Sequence, residues 1–337
     1  MVMAGGGFRF GYYLGMHAAA EELERAPDII LAACGGAIAA AAIHGLPDTD
    51  TRRDWLCAPE LYTFQRNIRS LPPANAKLTV TGTVNRVWRQ WTQQAAHRAA
   101  PDLLRDAMFE LPALPVIPTA RSGGTDIAII AARVSTHASM SHWPYQLHET
   151  VFAPNRVAGL LANRASWAKP FLKSAIAPAL ECNTTVAIEH AVRASVADPF
   201  YFASVHAEGQ DWSGGLVDLF PIEIAHALAD HVVMERKRKF NPLYAQPAVR
   251  AVYGVNGNAR RRAVQDNTHA DVWVDTTDVS RVLRHETERK QYDRATGQIV
   301  LRAAPTHSEF VRQMTAQWHY GRERTLRAFE AANKRKT

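Results

Sequence analysis

Two turns made of very small residues constrain the fold of this chain more than any other feature. Residues 5–9 (GGGFR) and residues 32–36 (AACGG) each stand between a short apolar segment and a helix-forming segment. Glycine lets the backbone adopt conformations that other residues avoid and lets two chain segments approach closely. The start of the chain therefore predicts a strand, a glycine loop, a helix, a second strand, a tight turn and a second helix.

Strands and helices continue to alternate along the chain. Residues 126–134 (DIAIIAARV) predict a central strand, residues 184–197 a helix, and Pro221 the start of another helix. A further strand is expected at residues 270–274 and a long helix at residues 307–332. This order predicts a three-layer α/β/α fold with a mostly parallel central sheet. Ligands of such sheets bind at the carboxyl ends of the strands.

The triglycine loop suits a site where negative charge develops. Gly5, Gly6 and Gly7 would turn backbone N–H groups toward a ligand, and the following helix adds the positive end of its dipole. Such donors would form an oxyanion hole for the charge that develops on a carbonyl oxygen. A simple tight turn is the alternative for a triglycine taken alone.

The second turn places a cysteine between a strand and a helix, as in a nucleophile elbow. The elbow needs small residues two positions before and after the nucleophile, and Ala32 and Gly36 meet this need around Cys34. A helix N-terminus lowers a thiol pKa, which would favour the thiolate. The alternative is a buried structural cysteine.

A third turn at residues 213–215 (SGG) follows residues 200–205, which are expected to be extended. The three turns in this order resemble the patatin-like phospholipase family, which has a GGGxRG loop, a GxSxG elbow and a DGG motif. The resemblance is strong over residues 2–46 and 187–233 and faint after residue 240. It implies a patatin-like fold and lipid acyl hydrolysis by a Ser–Asp dyad.

The resemblance also assigns roles to residues of this chain. Cys34 takes the place of the family's serine, Ser213 takes that of its aspartate, and Phe10 stands where the family has a glycine. The implied oxyanion hole comprises Gly5, Gly6, Gly7, Arg9 and Gly35, and the supporting turn residues are Gly36, Gly214 and Gly215.

A serine at position 213 cannot act as the base near neutral pH. Loss of the aspartate is more tolerable with a cysteine, because a thiol is intrinsically more reactive than a hydroxyl. Among replacement bases, Asp211 is the first choice, because it lies two residues before Ser213 and on the same face of an extended chain. His206 and Asp218 are the alternatives.

Two functions stay open on this evidence. One is a cysteine-dependent hydrolase or acyltransferase acting on lipid esters or thioesters through an acyl-Cys34 intermediate. The other is a catalytically inactive relative that binds lipid, acyl groups or a partner protein. The substrate would be a lipid or acyl ester, and neither a cofactor nor a metal is expected.

The net charge of +7 is concentrated in residues 236–239, 260–262 and 334–336. These clusters are interpreted as solvated faces or as peripheral contacts with an anionic membrane, and no module for nucleic acid is present. A cytoplasmic location is expected, and the short first strand raises the prospect of a truncated start. Residues 1–240 are expected to form the hydrolase domain, with residues 241–337 as a basic extension packed on it.

Overall fold

The computed structural model describes residues 1–71, 108–115, 124–135, 143, 145–171, 173–242, 245–267 and 270–334. The strands within them are β1 (Val2–Ala4), β2 (Ile29–Ala33), β3 (Arg69–Ser70), β4 (Phe109–Glu110), β5 (Asp126–Ser135), β6 (Gln146–Phe152), β7 (Glu181–Asn183), β8 (Val205–Ala207), β9 (Gln210–Trp212), β10 (Val233–Arg236), β11 (Val272–Asp275), β12 (Arg289–Asp293) and β13 (Gln298–Arg302). The helices are α1 (Gly11–Glu22), α2 (Gly35–Gly45), α3 (Thr49–Leu56), α4 (Pro59–Arg66), α5 (Asn155–Leu160), α6 (Ile188–Val196), α7 (Ile222–Leu228), α8 (Ala245–Tyr253), α9 (Gly257–Asn267), α10 (Val279–Val282) and α11 (His307–Lys334).

The main sheet carries the strands that end at the small-residue turns. Its order is β1-β2-β5-β6-β7, and the β8–β9 hairpin joins β5 through β9. Strands β1, β2 and β5 are parallel, with Met3 opposite Ala32 and Leu31 opposite Ala128, whereas β6 and β9 pair with β5 in the antiparallel sense. The predicted α/β fold with a mostly parallel central sheet is confirmed, and both turns lie in its parallel part.

Alternate residues of the central strands enter hydrophobic cores on opposite faces of the sheet. Ile30 and Ala32 of β2 belong to the core that includes side chains of α1, α2 and α11. Leu31 and Ala33 belong to the core that includes side chains of α5, α7 and α8. This alternation follows from the two-residue period of a strand and produces three layers.

The C-terminal helix α11 packs closely against α1 at two glycines. A Cβ atom on Gly15 would collide with the backbone of Trp318, and one on Gly321 would collide with that of Tyr12. Nearby, the Gln317 side chain accepts a hydrogen bond from the N–H of Gly11 at 3.1 Å. Helix α11 therefore holds the start of α1, which is also where the glycine loop ends.

Candidate active site

Cys34 lies at the turn between β2 and α2 in a strained backbone conformation. Its φ of 54° and ψ of −126° are unusual for a residue with a side chain, and such a conformation costs roughly 1–3 kcal/mol. The buried Ser195 hydroxyl stabilises it: the Cys34 N–H donates to Oγ at 2.9 Å, and Oγ donates to the carbonyl of Ile130 at 2.6 Å. Helix α6 and strand β5 thus hold the cysteine at this bend.

The glycine loop is pressed against the same turn. The N–H of Gly36 donates to the carbonyl of Gly5 at 3.0 Å, and a Cβ atom on Gly36 would collide with Met3. A Cβ atom on Gly35 would lie 2.9 Å from both the Gly5 oxygen and the Gly7 nitrogen. Only glycine therefore fits at these two positions while the loop stays beside the thiol.

The amides of the glycine loop have different uses. The N–H of Gly5 donates to the carbonyl of Ala33 at 2.9 Å, so it fixes the loop to β2 and cannot serve a substrate. The expected place of Gly5 in the oxyanion hole is corrected accordingly. Gly6, Gly7 and Gly35 line a cavity with Cys34, and the space beside Gly7 is open.

The turn at residues 213–215 lies on the other side of the thiol. The Gly215 N–H lowers the pKa of the Cys34 thiol, and Gly215 is packed so tightly that a Cβ atom would lie 2.7 Å from Ala33 Cβ. Ser213 is fully buried; its N–H donates to Ala132 at 2.8 Å, while its hydroxyl has no partner among the described residues. Ser213 is not among the residues that line the cavity.

The cavity that contains Cys34 has a volume of about 520 Å³ and mixed polarity. From the three predicted motifs its wall includes Gly5, Gly6, Gly7, Arg9, Cys34 and Gly35. Its carboxyl groups are Asp198, Glu235 and Glu288, and Lys237 adds a positive charge. The carboxyl oxygens of Glu288 have no partner on another described residue, and burial raises the pKa of Glu288 to about 8.

Of the three carboxyl groups that line this cavity, Asp198 is the one whose negative charge raises the pKa of the Cys34 thiol. Residues 198–202 form a turn, because the Asp198 carbonyl accepts the N–H groups of Tyr201 and Phe202. Residues 200–202 therefore depart from the extended chain expected over residues 200–205. The Asp198 carboxylate accepts the N–H of Phe200 at 2.8 Å. Burial raises the pKa of Asp198 to about 6, and a Cβ atom on Gly214 would lie 3.0 Å from its Cα.

The environment of Cys34 favours the neutral thiol. Cys34 is 5% exposed, and burial, followed by the negative charge of Asp198, raises the pKa of its thiol well above the usual range. The N–H of Gly215 and the charge of Lys237 lower the thiol pKa but do not outweigh burial. The expectation of a lowered thiol pKa at a helix N-terminus is therefore wrong here, because desolvation is the larger effect.

The three bases expected from the sequence do not line the cavity. Trp212 packs on Phe152, so Asp211, the preceding residue of the strand, faces solvent with a side chain that is 57% exposed. Asp211 accepts a hydrogen bond from Nδ1 of His206 at 2.8 Å. Asp218 is buried elsewhere, where burial raises its pKa to about 6 and Arg260 lies 3.4 Å away.

Two of the basic clusters are partly internal. Lys237 forms an ion pair with the buried Glu235, and its side chain is only 16% exposed. Arg260 pairs with Asp218 and lies over the ring of Trp167 at 4.7 Å. Arginine 335 and lysine 336 of the third cluster lie outside the described residues. The first two clusters are therefore not simply solvated faces.

The residues that sequence reasoning missed had weak local signals. Ser195 and Asp198 stand in the segment 187–202, where a small polar residue and an aspartate before proline are ordinary features. Lys237 was hidden in a run of basic residues. The sequence signal for a buried charge here was the apolar pair Val233 and Met234 directly before Glu235, which is typical of a strand that enters the interior.

The described residues contain no cluster of ligands able to hold a metal ion. In the same part of the chain, every helix is too short or too polar to cross a membrane.

A cysteine at a strained strand-to-helix turn, with a glycine loop and a carboxyl group lining the same cavity, is the arrangement typical of α/β acyl hydrolases. The patatin-like phospholipase family model matches residues 1–226, which is more than half of the chain. The chain therefore belongs to the patatin-like phospholipase family, whose general activity is lipid acyl hydrolysis.

The remaining comparisons add little beyond the family. The solved structure of VipD from Legionella pneumophila is similar, with 11% identity and a TM-score of 0.33 over 98% of this chain and 66% of that chain. At this level the likeness supports no functional argument. Comparison with curated protein sequences gives no match.

Proposed function

We propose that this protein is a cysteine-dependent lipid acyl hydrolase or acyltransferase, which cleaves esters or thioesters through an acyl-Cys34 intermediate. One observation carries the proposal: Cys34, the glycines at positions 6, 7 and 35, and the carboxyl group of Asp198 line the same cavity. A nucleophile, backbone donors for an oxyanion and a base are the groups that acyl transfer needs.

In the first step, the Cys34 sulfur attacks the acyl carbon while the thiol proton passes to the Asp198 carboxylate. The carbonyl oxygen takes the negative charge and accepts hydrogen bonds from the amides of Gly6, Gly7 and Gly35. The intermediate then expels the alcohol or thiol, which takes the proton back from Asp198. A general base is needed because the thiol of Cys34 is neutral near pH 7.

In the second step, water or an acceptor alcohol attacks the thioester carbonyl. Asp198 accepts the proton of the attacking group, the same amides hold the new oxyanion, and the Cys34 sulfur leaves as a thiolate. The thiolate recovers its proton from Asp198. The carboxyl pKa of about 6 leaves most of Asp198 ionised at neutral pH, as a base requires.

The rest of the cavity suits an acyl chain with a polar head. Its apolar wall includes Ile38, Phe64, Leu111, Val196 and Phe202. Arg238 and Lys239 also line it and are exposed, which suits contact with an anionic headgroup or membrane surface.

The proposal is tested by trapping the acyl-enzyme. The protein is quenched in acid during turnover of p-nitrophenyl butyrate, and its peptides are analysed by mass spectrometry. A butyryl group is expected on Cys34, removable by neutral hydroxylamine and absent from Cys34→Ala. The half-buried Cys57 and the exposed Cys182 serve as internal controls for nonspecific acylation.

The contrary result would favour the second function. Folded protein that releases no p-nitrophenol and carries no acyl group on Cys34 would be a binding module that has lost catalysis. The observation that favours an inactive binding module is Ser213, which stands at the position of the family's aspartate. Ser213 is buried, and its hydroxyl has no hydrogen-bond partner among the described residues.

A further inference from the structure

Lys237 places an ammonium group in the cavity wall beside the glycine loop. Its Nζ donates to the carbonyl of Ala4, the residue that immediately precedes the loop. A Cβ atom on Gly5 would lie 3.5 Å from this Nζ. The lysine thus contacts the strand end from which the loop begins.

The position of Lys237 is fixed by a buried network. Nζ forms an ion pair with Glu235, which is 1% exposed. The other donors to Glu235 are the hydroxyls of Tyr12 at 2.9 Å, Tyr13 at 2.5 Å and Thr276 at 2.9 Å. Four groups, two from α1 and one from the residue after each of β10 and β11, therefore converge on one carboxylate. Such a satisfied network holds its members in one arrangement.

The charge of Lys237 also acts on the nucleophile. Asp198 raises the pKa of the Cys34 thiol, whereas Lys237 lowers it; within the described part of the chain, these are the charged side chains that shift this pKa. A buried pair consisting only of a carboxylate and a thiol would strongly oppose a thiolate. A cation on the glycine-loop side compensates in part.

We propose that Lys237 is a positioning residue of the active site, which fixes the glycine loop through Ala4 and stabilises negative charge on Cys34. The network with Glu235 keeps the ammonium at this place. The effect on turnover rests on the proposed function, but the effect on the thiol does not.

The test compares alkylation of Cys34 by iodoacetamide from pH 7 to pH 10 in three variants. Lys237→Met removes the charge, Lys237→Arg keeps it, and Arg236→Met is the matched control, since Arg236 is exposed and lies over Trp273 at 5.3 Å. Peptide-level mass spectrometry separates Cys34 from the other two cysteines. Hydrolysis of p-nitrophenyl butyrate is measured in parallel.

We expect Lys237→Met to slow alkylation at pH 8 about tenfold, as the loss of one nearby cation implies. Lys237→Arg should stay within about threefold of the wild type, and Arg236→Met should match it. Because Lys237→Met leaves Glu235 buried without its cation, the double variant with Glu235→Gln provides a second folded protein, which should show the same slow alkylation.

Two outcomes would overturn the proposal. If Cys34 were alkylated at the wild-type rate in Lys237→Met and in the double variant, the charge of Lys237 would not act on Cys34. Equal slowing in Lys237→Arg would show that the shape of lysine matters and its charge does not. Slow alkylation in the charge-removing variants, combined with an absence of hydrolysis by the wild type, would support the role of Lys237 and reject the proposed function.

Discussion

Replacing Asp198 by asparagine should remove the base and leave the fold intact. A positioned general base contributes roughly 10²- to 10⁴-fold to a rate, so kcat/KM for p-nitrophenyl butyrate should fall by that factor. Asp211→Asn is the matched control, because it removes an exposed carboxylate that does not line the cavity. It should retain the wild-type rate.

The pH dependence of the wild type follows from the same group. With a pKa of about 6, Asp198 is about nine-tenths ionised at pH 7 and about one-tenth ionised at pH 5. The base is active only when ionised, so kcat/KM should fall about tenfold between these pH values. Steady-state kinetics from pH 5 to pH 8 would measure this decrease.

With rising pH, the contribution of Asp198 to folding stability should fall while the activity rises. The folded-state pKa of Asp198 is raised from 3.8 to about 6, so the folded protein binds this proton more tightly than the unfolded chain does. Stability from this group is therefore lost as pH rises through that interval, at a cost of about 3 kcal/mol above pH 7. Asp198→Asn should raise the free energy of unfolding at pH 8 by up to that amount in guanidinium titrations.

Two results would refute this reasoning. The first is an Asp198→Asn enzyme that keeps more than about a tenth of the wild-type kcat/KM, since the expected loss is at least roughly 10²-fold. The second is an equal loss of kcat/KM in Asp211→Asn. That result would indicate that Asp211 of the β8–β9 hairpin acts as the base.

Three further predictions follow from the packing around the turn and cavity. Ser195→Ala removes two buried hydrogen bonds and should cost about 1–3 kcal/mol in chemical denaturation while lowering kcat; unchanged values would contradict its support of the bend at Cys34. The double variant Cys34→Ser with Ser213→Asp restores the family's residue types and should gain activity on short p-nitrophenyl esters; no gain in folded protein would count against the geometry. Burial raises the pKa of Glu288 to about 8, so stability from this group is lost as pH rises through that value. Glu288→Gln should therefore stabilise the protein more at pH 9 than at pH 6, with a difference of about 3 kcal/mol in the free energy of unfolding from denaturant titrations. An equal effect at both pH values would contradict a raised pKa for a buried carboxyl.

The turns and the sheet could be read from the sequence because their requirements are local. Glycine is required at positions 35 and 36 because the glycine loop passes close to this strand-to-helix bend. The apolar strand over residues 126–134 is recognised by its composition and length. The predicted fold class and the family relationship followed from these features.

The proposed base, Asp198, could not be chosen from the sequence alone. Asp211 and Asp198 are both acidic residues near the third turn, and sequence distance favoured Asp211. The structure separates them, because Trp212 packs inward and leaves Asp211 in solvent, whereas the turn at residues 198–202 brings Asp198 to the cavity.

The charges of the site were likewise decided by tertiary packing. In the sequence, Lys237 is one of four consecutive basic residues, with nothing to distinguish it from its neighbours. Only the folded chain shows Glu235 buried beside it and the glycine loop within reach. Steric needs act between adjacent residues and leave a pattern in the sequence, whereas a pKa depends on burial and on charges brought together from distant parts of the chain.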